Sequence, residues 1–113
     1  MLEISENLTI NISYGDVLDV TFDIEGLKIE EGSKFVLSIK KDLDDPQPSY
    51  LKQLSYIDLE ANSVRIVIDS EDMEKFEVGK WYYDLVYIVG QNRRTLNYPS
   101  RLVVKEVVHN EFS

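Results

Sequence analysis

The sequence predicts an all-β protein, an antiparallel β-sandwich of about seven strands. Two observations carry that prediction. Apolar and polar residues alternate with period two through most of the chain, while helical periodicity is nearly absent. Clusters of Gly, Asn, Asp and Pro interrupt the alternation at short intervals, as turns require. A third observation specifies the kind of sandwich. The stretch Glu77-Val78-Gly79-Lys80-Trp81-Tyr82-Tyr83-Asp84-Leu85-Val86-Tyr87-Ile88 joins a Gly turn to a long strand-forming run that is apolar on both faces. In an immunoglobulin-like sandwich such a turn feeds the central strand F, with an aromatic near the corner and an inward residue two positions later. Gly79 is then the corner and Trp81 the corner aromatic. Tyr83 is the inward residue, where antibody domains carry a Cys.

Each element follows from its local pattern. Leu8, Ile10 and Ile12 alternate with Asn7, Thr9, Asn11 and Ser13 to give a first strand. Tyr14-Gly15-Asp16 is a turn, since Gly and Asp tolerate turn dihedrals. Leu18, Val20, Phe22 and Ile24 alternate with acidic residues and Thr21, the cleanest strand of the chain. Residues 26–33 connect it to a third strand, in which Phe35, Leu37 and Ile39 point inward and Val36 and Ser38 outward. Residues 41–49 hold three aspartates and two prolines and read as a surface loop. Residues 51–59 fit no single period and read as one short irregular strand. Val64, Ile66 and Ile68 mark a further strand.

Residues 70–76 are the one helix-like segment, expected to make a short helical turn before strand F. Ser70 is placed as its cap, and Glu71 and Asp72 favour the positive end of its dipole. Met73 and Phe76, three apart, then face the core together. Strand F runs from Lys80 to Val89. Gly90-Gln91-Asn92 makes a hairpin turn, and residues 93–98 return beside F. Pro99 cannot donate to a ladder, so it implies an edge or a bulge. Residues 101–108 form the last strand, and the tail from about residue 109 frays. No internal repeat or linker divides the chain, so residues 1–113 are expected to form one domain.

Asp84 decides the register of strand F. Burying an unpaired carboxylate is costly, so Asp84 faces outward and Trp81, Tyr83, Leu85 and Tyr87 face inward. Strands C, F and G share a sheet in immunoglobulin-type topology. Its outer face then collects Val36, Tyr82, Val86, Ile88 and Val103, with Asp84 at a rim or beside a base such as Arg101 or Lys105. The other sheet is expected to show Thr9, Asn11, Asp19, Thr21, Asp23, Arg65 and Asp69. Contiguous apolar surface marks binding sites, so the first face is the candidate interface, unless loops of the same chain cover it. The substitution Val86→Lys is expected to abolish association and leave folding intact.

Composition narrows the chemistry. The chain has 113 residues, no Cys and a formal charge of −9, with acids spread along its length. Disulfides, thiolate metal sites and cysteine nucleophiles are excluded. A chain this acidic lacks the Lys and Arg density that phosphate backbones and anionic membranes select, so neither nucleic acid nor membrane is an expected partner. No apolar run is long enough to cross a bilayer as a helix. The N-terminal residues lack the basic and apolar regions of a signal peptide, which gives cytoplasmic synthesis as the expectation. Asn7-Leu8-Thr9 and Asn11-Ile12-Ser13 match the glycosylation acceptor pattern and read as a polar strand face.

His109 is the one histidine and sits near the C-terminus, a poor position for a catalytic triad or a zinc site. Asp42, Asp44 and Asp45 resemble the start of a calcium loop, but Pro46 interrupts the spacing and the Gly and distal Glu are missing. No Gly-rich phosphate loop occurs. Paired carboxylates for glycoside hydrolysis need a cleft of defined separation, which a small sandwich seldom builds. Tyr82 with Trp81 is the candidate pair for stacking on sugar rings.

Three stretches carry a resemblance. They are Gly15-Asp16-Val17-Leu18-Asp19-Val20-Thr21-Phe22, Phe35-Val36-Leu37-Ser38-Ile39-Lys40-Lys41-Asp42 and Val78-Gly79-Lys80-Trp81-Tyr82-Tyr83-Asp84-Leu85. The chain resembles small phage and prophage structural proteins, and the N-terminal immunoglobulin-like domain of phage baseplate upper proteins. It departs from that pattern at Tyr98-Pro99-Ser100, where the family often has a Gly. The resemblance implies a virion-associated or prophage structural module that works by contact with itself or another phage structural protein, with no catalytic residues and no cofactor. The alternative is a β-sandwich that binds carbohydrate or a small ligand.

Overall fold

Period-two alternation becomes two sheets that share one apolar interior. The computed structural model describes residues 3–4, 8–97 and 99–107. Its strands are β1 (Glu3–Ile4), β2 (Ile10–Ser13), β3 (Leu18–Asp23), β4 (Lys34–Lys40), β5 (Tyr50–Leu54), β6 (Tyr56–Asp58), β7 (Ser63–Ile68), β8 (Gly79–Val89), β9 (Asn92–Thr95) and β10 (Ser100–Lys105). A single turn of helix, α1 (Ser70–Met73), precedes β8. The larger sheet runs β1-β2-β10-β8-β4-β5, with β9 also on β8, and the smaller runs β3-β7-β6. The two pack as a β-sandwich whose strand order is of immunoglobulin type. Among the described residues there are ten strands rather than about seven, because the segment read as one strand over 51–59 gives two and the short β1 adds another.

The core is built from the inward positions of both sheets. Ile10, Ile12, Phe35, Leu37, Ile39, Trp81, Tyr83, Leu85, Tyr87, Leu102 and Val104 come from the larger sheet. Leu18, Val20, Val64, Ile66 and Ile68 come from the smaller, and Met73 and Phe76 fill one end as their spacing predicts. Strand β8 is the spine of the larger sheet. It pairs with β4 along one side, and with β10 and then β9 along the other.

Five expectations change. The first strand begins at Ile10, because Leu8 has a left-handed backbone with φ 66°, where a strand cannot continue. It also belongs to the larger sheet. Strand β2 lies parallel to β10, with Leu102 opposite Ile10 and Lys105 opposite Ser13. Residues 51–59 are not one irregular strand. Tyr50–Leu54 pairs with β4 in one sheet and Tyr56–Asp58 with β7 in the other. The chain changes sheets at Ser55, and the crossing spoils any single period. The helix cap is Asp69 rather than Ser70, and its side chain accepts from the Asp72 amide at 3.0 Å. The last strand ends at Lys105, and the expectations for Tyr98 and for residues 108–113 lie outside the described residues.

The return beside β8 is interrupted where Pro99 predicts it. Strand β9 ends at Thr95 and β10 starts at Ser100. In the gap the Leu96 amide donates to the Leu85 carbonyl at 2.8 Å. The Leu85 amide in turn donates to Asn97 Oδ1 at 2.9 Å, so a side-chain carbonyl stands in for the missing ladder partner. The Asn97 Nδ2 also donates to Ser100 Oγ at 3.0 Å. This keeps β8 satisfied while the neighbouring strand breaks.

Candidate protein-contact face

Gly79, Trp81 and Tyr83 lie at the start of β8. Gly79 has φ 142°, a region L side chains rarely adopt, and a Cβ there would stand 2.9 Å from Lys41 Nζ. The Trp81 ring meets Phe76 edge to face at 5.0 Å between centroids. Its indole N–H donates to the Glu77 carbonyl at 2.9 Å, and Lys41 Nζ lies 4.8 Å from the ring centroid. An indole thus makes the backward hydrogen bond that a corner tyrosine makes in antibody domains. Tyr83 is 4% exposed, and burial pushes its phenol up to about 12. Its hydroxyl donates to the Leu8 carbonyl. The Tyr87 hydroxyl accepts from the Glu30 amide at 2.9 Å. Two inward tyrosines of β8 therefore fasten chain segments outside the sheets.

The predicted register of β8 puts Tyr82, Asp84, Val86 and Ile88 on the outer face. Cross-strand pairing sets their neighbours. Val86 lies between Val36 and Thr95, Ile88 between Lys34 and Arg93, and Tyr82 between Lys40 and Arg101. Val103 lies between Lys80 and Asn11. Leu51 extends the surface over the edge and is 63% exposed. Val36, Tyr82, Asp84, Ile88 and Val103 are half-buried, whereas Val86 is only 6% exposed. Val86 is therefore packed by its own row. Val86→Lys would bury a charge, and the expectation that it leaves folding intact does not stand.

Charge on this face differs from charge along the chain. Lys34 and Lys40 of β4, Lys80 of β8, Arg93 of β9, and Arg101 and Lys105 of β10 occupy outward positions. Those are six of the chain's 12 Lys and Arg residues, on a protein of net charge −9. Asp84 is the carboxylate in the middle of them, with Glu3 opposite Asn11 at the far edge of the sheet. Burial raises its pKa above the ordinary aspartate value, while Lys40 and Arg93 pull the other way. Its basic neighbours are thus Lys40 and Arg93 rather than Arg101 or Lys105. A shallow groove of about 110 Å³ beside Asp84 is lined by Ser38, Lys40, Leu43, Tyr82 and Pro99. The Lys40 ammonium donates to the Asp45 carbonyl at 2.8 Å, tying the 41–49 loop to the groove.

The outer face of the smaller sheet has the opposite sign. Asp19, Thr21 and Asp23 of β3, Arg65 and Val67 of β7, and Tyr56 and Asp58 of β6 occupy its outward positions. Arg65 makes a two-pronged contact with Asp19, at 2.8 and 2.6 Å, which draws the Asp19 carboxyl below its ordinary value. The Arg65 guanidinium also lies 5.4 Å from the Tyr56 ring centroid. Tyr56 is 56% exposed, so this face is less uniformly polar than the sequence suggests. Asn11, expected here, lies on the opposite face beside Val103.

Two further features were illegible or differ. Asn62 adopts φ 57°. Its Oδ1 accepts from the Ile29 amide at 2.8 Å, and its Nδ2 donates to the carbonyls of Ile24 and Leu27 at 2.7 and 2.8 Å. One side chain organises the 24–29 part of the connection from β3 to β4, and Asn's tolerance of left-handed backbone is the signal that could have found it. A slot of about 160 Å³ opens between the sheets, lined by Leu8, Phe22, Asp23, Ile24, Glu25, Tyr83, Leu85, Leu96 and Asn97. Trp81 points into the core and Tyr82 away from it, so the two do not form a stacking platform.

No family model and no curated protein matches this chain. Among solved structures it is similar to a crystal structure named "putative glycoside hydrolase" from Bacteroides vulgatus ATCC 8482, with a TM-score of 0.48 and 13% identity. The match covers 86% of this chain and 16% of that protein, so the chain spans a small part of its length.

Proposed function

We propose that the chain is a non-enzymatic structural module of the phage or prophage type, acting by protein contact through the outer face of its larger sheet. The observation that supports this reading most is the composition of that face. It combines a half-buried apolar row, Val36, Tyr82, Ile88 and Val103, with the exposed Leu51 and a dense set of basic side chains. Mixed apolar and basic surface of this kind suits a protein partner, since apolar contact supplies affinity and charge supplies orientation.

The absence of Cys allows a clean test. A single cysteine at exposed Thr95 reports on the face, and one at exposed Glu31, in a connecting loop, serves as control. Thiol labelling should slow at position 95 but not at 31, either as concentration rises or in lysate of cells producing the protein at native level. Equal rates at both positions under all these conditions would remove the reading.

The inter-sheet slot supports the second reading, a small-ligand module. Its Phe22, Ile24, Leu85 and Leu96 suit an apolar group, and Asp23, Glu25 and Asn97 supply polar contacts at the same slot. Chemical-shift changes confined to those residues on titration with short aliphatic or aromatic alcohols would favour it.

A further inference from the structure

The two outer faces carry opposite charge, and this constrains how copies of the chain can meet. This inference rests on the reading of the larger sheet as a contact surface. The front, on that sheet, presents Lys34, Lys40, Lys80, Arg93, Arg101 and Lys105 around Asp84, with Glu3 opposite Asn11 at one edge and the acidic 41–49 loop at another, so bases remain in excess along the β4, β8, β9 and β10 rows. The back, on the smaller sheet, presents Asp19, Asp23 and Asp58, with Arg65 already held by Asp19. Neither of the ion pairs Arg65–Asp19 and Lys75–Asp72 draws on the basic residues of the front.

We propose that the front of one copy docks on the back of a second copy, so that the chain self-associates head to tail. Two copies can stack by their sheets in three ways. Front on front opposes two basic faces, and back on back opposes two acidic ones. Like charges placed directly opposite are destabilising. Front on back alone joins opposite signs. The smallest extent of the molecule is 25 Å, while charges are screened over about 8 Å at physiological ionic strength. Each face therefore acts on what touches it, and the net charge of −9 does not cancel the basic front.

Apolar surface is available on both sides of such a contact. The front offers Leu51 and Leu43, 63% and 50% exposed, with the groove beside Tyr82. The back offers Tyr56, 56% exposed and flanked by Asp58. Tyr56, with Asp58 beside it and the Arg65 guanidinium over its ring, can enter the groove that holds Lys40 and Asp84, and buried aromatics commonly anchor interfaces. A contact that uses different patches on the two partners leaves a free front and a free back at the ends. It continues into a ring or an open stack unless geometry stops it.

Charge-swapped variants test this by complementation in sedimentation velocity near physiological salt. Lys34→Glu with Arg93→Glu breaks the front, and Thr21→Lys with Asp23→Lys breaks the back. Wild type should show species beyond the monomer that grow with concentration, and each variant alone should be monomeric. Mixed, the two variants should form a 1:1 complex that stops at the dimer, because each retains the face the other lost. Thermal melts verify folding, and Lys34→Gln with Arg93→Gln replaces the front variant if glutamates disturb it. A back variant that still self-associates, or a mixture that stays monomeric while wild type associates, overturns head-to-tail docking. A monomeric wild type at every concentration also overturns it. In that case slowed labelling at position 95 in lysate preserves the contact face with a different partner, and unslowed labelling removes both ideas.

Discussion

Two residues of β8 have opposite relations to burial. Trp81 gains from it: its ring packs against Phe76 and its N–H is satisfied by the Glu77 carbonyl. Trp81→Ala removes a large buried aromatic and should cost about 3–5 kcal/mol, a large part of the roughly 5–15 kcal/mol of a typical domain. A urea midpoint unchanged from wild type would contradict that packing. Asp84 loses by burial, which raises its folded pKa above the ordinary 3.8. In the window above 3.8 the folded state then holds more protons than the unfolded one, so stability falls as pH rises through it and stays lower above. Asp84→Asn should therefore melt higher than wild type at neutral pH, and the difference should close as pH drops below 3.8. Melting curves from pH 3 to 8 measure this. A constant offset across the range would mean that the carboxylate charge is not the cause.

At the level of elements, connections are fixed by side chains as much as by turns. Asn62 holds three backbone groups of the 24–29 segment and sits at positive φ. Asn62→Ala should cost about 2–4 kcal/mol from the lost bonds, each worth roughly 0.5–1.5 kcal/mol, plus backbone strain. Asn62→Gly loses the bonds and not the backbone conformation, so it should melt between wild type and Ala. The 41–49 loop uses its acids internally: Asp45 Oδ2 accepts from the Asp42 amide and Asp42 Oδ1 from the Asp44 amide, both at 3.2 Å. Millimolar calcium should leave the melting temperature unchanged, whereas a rise absent with magnesium would reveal a bound ion. Strand β8 was legible because one carboxylate, Asp84, selected its register. The sheet assignment of β2 was not, because it depends on pairing with β10 about ninety residues away, a distance that no local pattern spans. The basic front was illegible for the same reason. Its lysines and arginines come from four strands and meet only when those strands lie side by side.

At the scale of the molecule, the parallel pairing of β2 with β10 decides how those two strands share a load. Both strands point the same way, so Ile10, which opens β2, and Lys105, which closes β10, lie at opposite ends of their shared ladder, while β1 folds back antiparallel on β2. Tension applied between those two points, once β1 has peeled from β2, pulls β2 and β10 past each other along their length. The bonds over four residue pairs, from Leu102 opposite Ile10 to Lys105 opposite Ser13, are then loaded together in shear rather than opened one at a time like a zip. A module joined to neighbours at both ends would resist stretching until that patch yields as a unit. Single-molecule extension should show one high rupture force governed by the unfolding rate. Val103→Pro, which removes an amide from the sheared strand, should lower the rupture force by a larger fraction than it lowers the chemical midpoint. Equal fractional losses would show that the strength of the fold under load resides elsewhere.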